Sequence, residues 1–275
     1  MSLRSGPQSA LGRAALYALC TAVFAFLILP ILAIIPLSLN AGSFLSFPLS
    51  GFSTRWYQTL FASPQWLASF RNSLIIACAT TMIATPLGTL AALGLSRMQP
   101  RARVLILTSL AVPLVMPVMI TAIGEYFLYA PHGLANSFAG LVLAHTTLAI
   151  PYVLVVVQAS LEGLDKSLLR AGASLGGSPS RVFVRILVPL ILPGLVAGAV
   201  FAFMTSFDET VIALFLAGPD QRTLPLQMFD SVREQLSPAI LAAATLLVLL
   251  STTLLGTVEI LRRWGRGLAP SEPSG

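Results

Sequence analysis

The chain has 275 residues, 56% of them hydrophobic and only 9% charged, with a formal net charge of +6. A soluble domain carries about 25% charged residues, and the mean hydropathy here is +0.87. The composition therefore excludes a soluble globular domain and describes an integral membrane protein. Cys20 and Cys78 both fall inside apolar runs, where they read as small buried hydrophobes rather than disulfide partners.

Charged residues divide the chain into elements. No charge falls between Arg13 and Arg55, Arg71 and Arg97, Arg103 and Glu125, Glu125 and Glu162, Arg185 and Asp208, or Glu234 and Glu259. A bilayer-crossing helix needs about 20 apolar residues, and every interval is long enough. The runs are continuously apolar rather than alternating, which favours helices over a barrel. They predict an all-α transmembrane fold with six spans near 14–37, 70–95, 104–129, 135–160, 187–216 and 238–261. The first run follows Arg4 and Arg13 and meets no small-residue cleavage pattern. It is longer than a signal-peptide core of about 7–15 residues, so it reads as a retained span. Pro30 and Pro36 lie in the first span, Pro86 in the second, Pro113 and Pro117 in the third, and Pro151 in the fourth. Each removes a backbone donor and kinks its helix. Kinks suit a bundle that moves, and are also common in membrane helices generally. Gly194 and Gly198 in the fifth span have the spacing of a close helix contact.

Basic residues set the orientation. With the N-terminus in the cytoplasm, Arg4, Arg13, Arg97, Arg101, Arg103, Lys166, Arg170, Arg181, Arg185, Arg262, Arg263 and Arg266 lie inside, twelve of the sixteen. Arg55, Arg71, Arg222 and Arg233 lie outside. This asymmetry follows the positive-inside rule, and six spans return the C-terminus to the cytoplasm. Residues 1–13 and 262–275 then flank a single transmembrane domain, 14–261, with one large inner loop, 162–189. Trp56, Tyr57 and Trp66 in the first outer loop, and Trp264 past the last span, are placed as interface anchors. The polar tail Gly265–Gly275, rich in Pro and Ser, is expected to be disordered.

Several chemistries are missing. Lys166 is the only lysine and follows Asp165, so no Gly-Lys-Ser/Thr phosphate loop exists and the chain does not hydrolyse ATP by such a site. His132 and His145 stand apart from any carboxylate or cysteine at ligand spacing, so no metal site is assigned. His145 reads as a hydrogen-bonded helix residue. No Ser-His-Asp or paired-carboxylate constellation is evident in a soluble setting. No catalytic residue is assigned and an enzyme is not expected.

The inner loop carries the strongest local signals. Leu164, Leu168 and Leu175 line part of one face of a short helix from about Asp165 to Leu175. Gly176-Gly177 permits a sharp turn. Ser178-Pro179 supplies an N-cap and first helical position for a second helix, with Val182 and Ile186 on one face and Arg181 and Arg185 nearby. Two forms fit these residues: a hairpin projecting from the membrane, or an amphipathic loop lying on lipid.

Here the sequence resembles a known family. Ala171, Gly176, Ile186 and Pro189 match the spacing of the permease loop of ABC importers: Glu-Ala-Ala, three residues, Gly, nine residues, Ile, one residue, Leu-Pro. Arg170 stands at the Glu position, Gly172 at the second Ala and Val188 at the Leu. From about residue 14 to 261 the chain resembles the spermidine/putrescine permeases, notably at Ser206, Asp208-Glu209, Gly218-Pro219, Leu224-Pro225 and Ser237-Pro238. The resemblance implies a type I ABC importer permease fold, with a core of five helices plus an N-terminal helix. The loop would then be a coupling-helix hairpin, with Arg170, Ala171, Gly172, Gly176, Ile186 and Pro189 at the contact with an ATPase. The implied partners are an ATPase dimer that binds ATP and Mg, a second, similar permease, an extracytoplasmic substrate-binding protein and the lipid bilayer. The implied location is the bacterial inner (plasma) membrane. No cofactor in this chain and no nucleic-acid partner are expected.

The acidic pair bears on the cargo. Asp208 and Glu209 follow an uncharged interval with no turn signal, and apolar sequence continues to Leu216. They are therefore expected inside the fifth span, toward its outer half. Intramembrane carboxylates are costly and face a cavity or a partner. A cationic polyamine is attracted to them. Glu125 adds a third negative charge and Tyr126 an aromatic wall. Alternatively, the pair meets Arg71 or Arg222, or caps a broken helix. The leading reading is a permease subunit for polyamines or related organic amines. The alternatives are importer permeases for an amino-acid derivative, an organophosphonate or an anion. A secondary transporter is disfavoured by the inner hairpin and the lack of an inverted repeat.

Overall fold

The computed structural model describes residues 10–43, 49–234 and 238–267. Arg4, Ser237 and the part of the expected polar tail beyond Gly267 lie outside the described residues. The chain up to Ala62 together with Ser231–Leu249 forms one compact unit. Ser63–Asp230 together with the chain from Leu250 forms the other.

The first unit begins with α1 (Ala10–Ser38), which holds Pro30 and Pro36 inside the helix. Its side chains from Leu16 to Leu32 are exposed, Phe26 at 77%. Outward apolar side chains suit contact with lipid tails. Cys20 on this helix, like Cys78 further on, is a free, exposed thiol. The expected burial of both is corrected: an apolar run in a membrane helix also covers the face that meets lipid. After α1 the chain doubles back, with Ala41 donating to Gly51 at 2.9 Å and Ser53 donating to Leu39 at 2.7 Å. It then enters α2 (Arg55–Ala62). Trp56 donates its indole N–H to the Asn40 carbonyl at 2.9 Å, and the Tyr57 hydroxyl shares a 2.7 Å hydrogen bond with Ser38. These two aromatic residues therefore tie the loop to the end of α1 and the residues just after it.

The second unit is built on α3 (Pro64–Ser96), α6 (Phe138–Glu162) and α9 (Val188–Phe207). Pro64 opens α3 at its first position after Ser63, where the missing N–H costs nothing. Ser137 caps α6, accepting from Gly140 N at 3.0 Å. Small residues let these three helices approach. A side chain on Gly194 would collide with Ser160, one on Gly198 would touch Val153 at 3.3 Å, and one on Gly88 would meet Val153 at 2.7 Å. Around them cluster Ala84, Ala92, Ala149, Val153, Leu154, Val157, Ile191 and Ala202. Membrane helices associate through such close van der Waals contacts.

Two expected spans are corrected. The single third span, 104–129, is instead two helices, α4 (Pro100–Val115) and α5 (Val118–Tyr129, continued by a 3-10 turn to His132), bent by 99°. Pro117 disfavours helical backbone at the residue before it, and Met116 is extended. The fifth span, 187–216, also divides. The helical run Pro179–Phe207 is followed by a break at Asp208–Thr210 and a short α10 (Val211–Leu216). Among the described residues, five helices are long and apolar enough to cross a membrane, and the bent pair makes a sixth if counted as one span.

Between α6 and α9 lies a hairpin of α7 (Lys166–Ser174) and α8 (Pro179–Val182), joined to α9 by a π-helical turn, Phe183–Leu187. After α10 come a 3-10 turn (Pro219–Gln221), α11 (Leu224–Glu234) and α12 (Ala239–Gly267). The last helix thus carries Trp264 and continues into the segment read as the start of the tail.

Candidate functional site: a buried acidic cluster and a glycine-closed hairpin

The hairpin follows its sequence signals closely. Asp165 caps α7, accepting from Ser167 N at 2.8 Å and from the Ser167 hydroxyl at 2.6 Å. The side-chain bond, followed by the backbone bond, holds the Asp165 carboxyl below its ordinary range. At the other end Gly176 adopts φ +79°. Its N–H donates to Ala173 O at 3.0 Å, and Gly177 N–H donates to Gly172 O at 3.1 Å. This paired ending is a Schellman motif, which favours glycine at the left-handed position. A side chain on Gly176 would meet nothing within 4 Å, whereas one on Gly172 would collide with Ile186. One on Gly177 would come within 2.7 Å of Gly172 O. Glycine at 172, where the family motif has alanine, is therefore matched to the Ile186 side chain. Arg170 and Ala171 sit on α7, Ile186 in the π turn, and Pro189 in the first turn of α9. Gly177 is a packing residue that the motif comparison passed over.

The acidic residues lie at the other end of α9. Asp208 is the helix's C-cap, its N–H donating to Met204 O at 3.0 Å. The Glu209 carboxylate turns to α10 and accepts from Val211 N at 2.7 Å and Ile212 N at 3.0 Å. The pair thus occupies a helix break, and Glu209 serves as its cap, one of the alternatives left open by the sequence. Glu125 on α5 is 7% exposed, and neither of its carboxylate oxygens has a hydrogen-bond partner. Glu209 is near enough to act on it electrostatically, and Asp208 acts likewise on Glu209. Ala122 on α5 and Ile212 and Leu216 on α10 belong to one apolar cluster with Ile76 of α3 and Leu141, Ala144 and Leu148 of α6.

Tyr126 does not join them. It is 39% exposed and faces Phe127, ring centroids 6.0 Å apart. Tyr129, one turn beyond Glu125, lies within its electrostatic reach. Thr121, one turn before Glu125, also has a buried, unpartnered hydroxyl. Positions 121, 125 and 129 share a helix face, and this spacing was a readable signal for Tyr129. His145 on α6 is 1% exposed, and its Nδ1 meets the Ser206 hydroxyl at 2.8 Å.

The arginines weighed as partners lie elsewhere. Arg222 pairs with Asp230 at 3.2 Å and approaches Gln227 at 3.4 Å. Arg71 and Arg222 line a cleft of about 650 Å³ with Gln65, Ser69, Asn72 and Asp220. Asn72 fastens its rim by donating to the Asp220 carbonyl at 2.8 Å and the Arg222 carbonyl at 3.0 Å. Among the described residues neither arginine pairs with Asp208 or Glu209, and no group of three His, Cys, Asp or Glu side chains is arranged to hold a metal. The arrangement offers negative charge inside an apolar helix assembly.

Known proteins resemble this chain over most of its length. The family described as the binding-protein-dependent transport system inner membrane component matches residues 84–266. The spermidine/putrescine transport system permease protein PotC of Escherichia coli (strain K12) is 32% identical over 243 residues, 88% of this chain and 92% of that protein. The putrescine transport system permease protein PotI of the same organism is 35% identical over 232 residues, 82% of each. A solved bacterial ABC transporter that imports the acidic polysaccharide alginate contains a chain that superposes with a TM-score of 0.67 at 16% identity, covering 93% of this chain and 96% of its own. That likeness concerns the fold.

Proposed function

The chain belongs to the binding-protein-dependent transport system inner membrane components and is a permease subunit of an ABC importer, and we propose that its cargo is a polyamine or a related organic amine. The observation that carries this reading is Glu125, a buried carboxylate with both oxygens unpartnered and within electrostatic reach of Glu209, which adjoins Asp208. A carboxylate in hydrocarbon surroundings is costly unless it meets a cation or a proton. A protonated amine entering the cluster supplies N–H donors and positive charge together. In a low-dielectric passage this attraction exceeds its value in water. A flexible diamine or triamine presents several such groups in turn. The similarity to PotC and PotI supports the same cargo class.

In this reading Asp208 and Glu125 bind passing ammonium groups, while Glu209 caps α10 and adds its field. Substrate arrives from an extracytoplasmic binding protein. The hairpin, with Arg170, Ala171, Gly172, Gly176, Ile186 and Pro189, seats on the ATPase, which binds ATP and Mg. A second, similar permease completes the passage. Both chain ends and the hairpin face the cytoplasm of a bacterial cell. Labelling tests that topology. In a background lacking Cys20 and Cys78, Ser53→Cys reacts with an impermeant thiol reagent in intact cells and Ser178→Cys does not; the reverse pattern overturns the orientation.

Cargo is tested by uptake into vesicles holding the complete complex and its binding protein. Labelled putrescine, spermidine, a neutral amino-acid derivative, an organophosphonate and an anionic solute are offered in turn. ATP-dependent uptake of the amines is expected. Uptake of only a neutral or anionic solute rejects the reading.

A further inference from the structure

The acidic pair begins one residue after α9 ends, so the direction of both carboxylates depends on the roll of that helix's last turn. Ser206 lies in this turn. A serine in a membrane helix ordinarily satisfies its hydroxyl on a carbonyl of the preceding turn, as Ser160 does on Val156 O at 3.1 Å. Ser206 instead meets His145 Nδ1 at 2.8 Å, a contact across 61 positions between α6 and α9. Both side chains are buried, at 1% and 3% exposure. The next residue, Phe207, is 4% exposed, stacked on Phe203 with centroids 5.4 Å apart and edge-on to Phe70 at 6.2 Å. Two residues before Asp208 the backbone is therefore fixed by a polar contact, and one residue before it by aromatic packing.

Histidine is a costly occupant of this seat. Its other ring nitrogen, Nε2, is buried and has no partner, which carries a desolvation penalty. Ala144 and Leu148 beside it on α6 belong to the apolar cluster around α5 and α10, and a leucine at 145 would suit the same surroundings without that penalty. What a leucine lacks is a directional bond to Ser206. On the far side of the acidic pair Glu209 is fastened to α10, and α10 is fastened to the start of α6 through Asn136 N–H donating to Leu216 O at 2.8 Å. The segment Asp208–Thr210 is thus strung between two anchored ends.

We propose that His145 is a positioning residue for the transport site: its hydrogen bond to Ser206 fixes the roll of the last turn of α9 and so directs Asp208 and Glu209 at the space beside Glu125. His145 itself does not touch the cargo. The inference rests on the acidic cluster being the cation site.

The test uses the complete importer in vesicles, with labelled putrescine as the probe. His145→Leu and Ser206→Ala each remove the bond. Each is expected to raise the apparent KM for putrescine by about tenfold, the scale of one buried hydrogen bond, while maximal velocity and assembled-complex yield change by less than about twofold. Because both variants remove the same contact, the double variant is expected to be no worse than either alone. His145→Asn, whose side-chain amide reaches the Ser206 hydroxyl from the place of Nδ1, restores KM to near the parent value. Unchanged KM in both single variants overturns the proposal. So does a fall in complex yield that accounts for all lost uptake, or additive losses in the double variant. If His145→Leu does not assemble, Ser206→Ala, which removes one oxygen, decides the matter.

A second readout is independent of cargo. In a background lacking Cys20 and Cys78, Glu125→Cys with Asp208→Cys, which leaves the Glu209 cap on α10 in place, is bridged by a short bifunctional thiol reagent. Efficient bridging is expected with His145 present, with a loss of at least about fivefold with His145→Leu. If the parent complex carries no amine but bridging still depends on His145, the cargo reading fails and the positioning role stands. If amines are carried but bridging is indifferent to His145, the positioning role fails.

Discussion

The two ends of α9 interrupt a membrane helix by opposite means. At its N-terminal end a π turn leads into a hairpin closed by glycines and by the Ile186 side chain lying where a Gly172 side chain would be. At its C-terminal end the helix stops at Asp208, a carboxylate caps the next short helix, and contacts reach back to α5 and α6. The first break is local, built from residues within about one hairpin's length, and depends on shape. The second gathers residues scattered from Glu125 to Ile212 and depends on charge and hydrogen bonding. Substitutions should separate the two: bulk harms one end, and loss of charge without change of shape harms the other.

The largest effect is expected at Gly172. Gly172→Leu must displace Ile186, and overpacking of this kind costs about 1–3 kcal/mol. On the proposed coupling role the opened hairpin loses its seat, so uptake should fall to background and the ATPase should dissociate, while membrane insertion stays normal. Gly176 is a different case, because its surroundings have room for a side chain but its φ is +79°. Gly176→Val meets only the left-handed backbone penalty, about 1–2 kcal/mol and more for a β-branched residue. It should also abolish transport, while Gly176→Ala retains a measurable part. Equal tolerance of valine and alanine would separate the hairpin from coupling. Next in size is Gly194→Leu, which drives a side chain into Ser160. It should lower the melting temperature of the purified complex whichever solute is present. The smallest effect belongs to Arg103 and Glu162, an exposed ion pair joining α4 to the end of α6. Arg103→Ala should leave the melting temperature of the complex close to the parent's, since exposed ion pairs add little; a large fall would make this pair part of the coupling end.

The same contrast explains what could be read from residues alone. The hairpin was legible because its signals are local: Asp165 before Lys166, the Gly176-Gly177 pair, Ser178-Pro179. The spans were legible because charges bracket them. The bend at Met116–Pro117 was marked by proline, but proline is also found inside α1, α3 and α6 without a comparable break. What distinguishes Pro117 is the extended backbone at Met116, which tertiary packing decides. The break at Asp208 carries no glycine or proline, since a carboxylate cap replaces the usual punctuation. Hence the fifth span reads as continuous. Tyr126 adjoins Glu125 in sequence, but neighbours along a helix face different ways, and it is Tyr129 that lies within the carboxylate's electrostatic reach. The bond between His145 and Ser206 joins positions far apart in sequence, and no local pattern points to it.

In the proposed mechanism, carboxylates inside the membrane recognise the cargo by charge. This recognition is tested most directly by combining Asp208→Asn with Glu125→Gln, which keeps shape and most hydrogen-bonding capacity while removing two negative charges. Putrescine uptake and the yield of assembled complex are measured on the same vesicle preparations. Uptake should fall by at least about a hundredfold, roughly a tenfold loss for each charge, with yield unchanged. Uptake at the parent level with normal assembly would contradict the account, and so would a loss of assembly large enough to explain the missing transport.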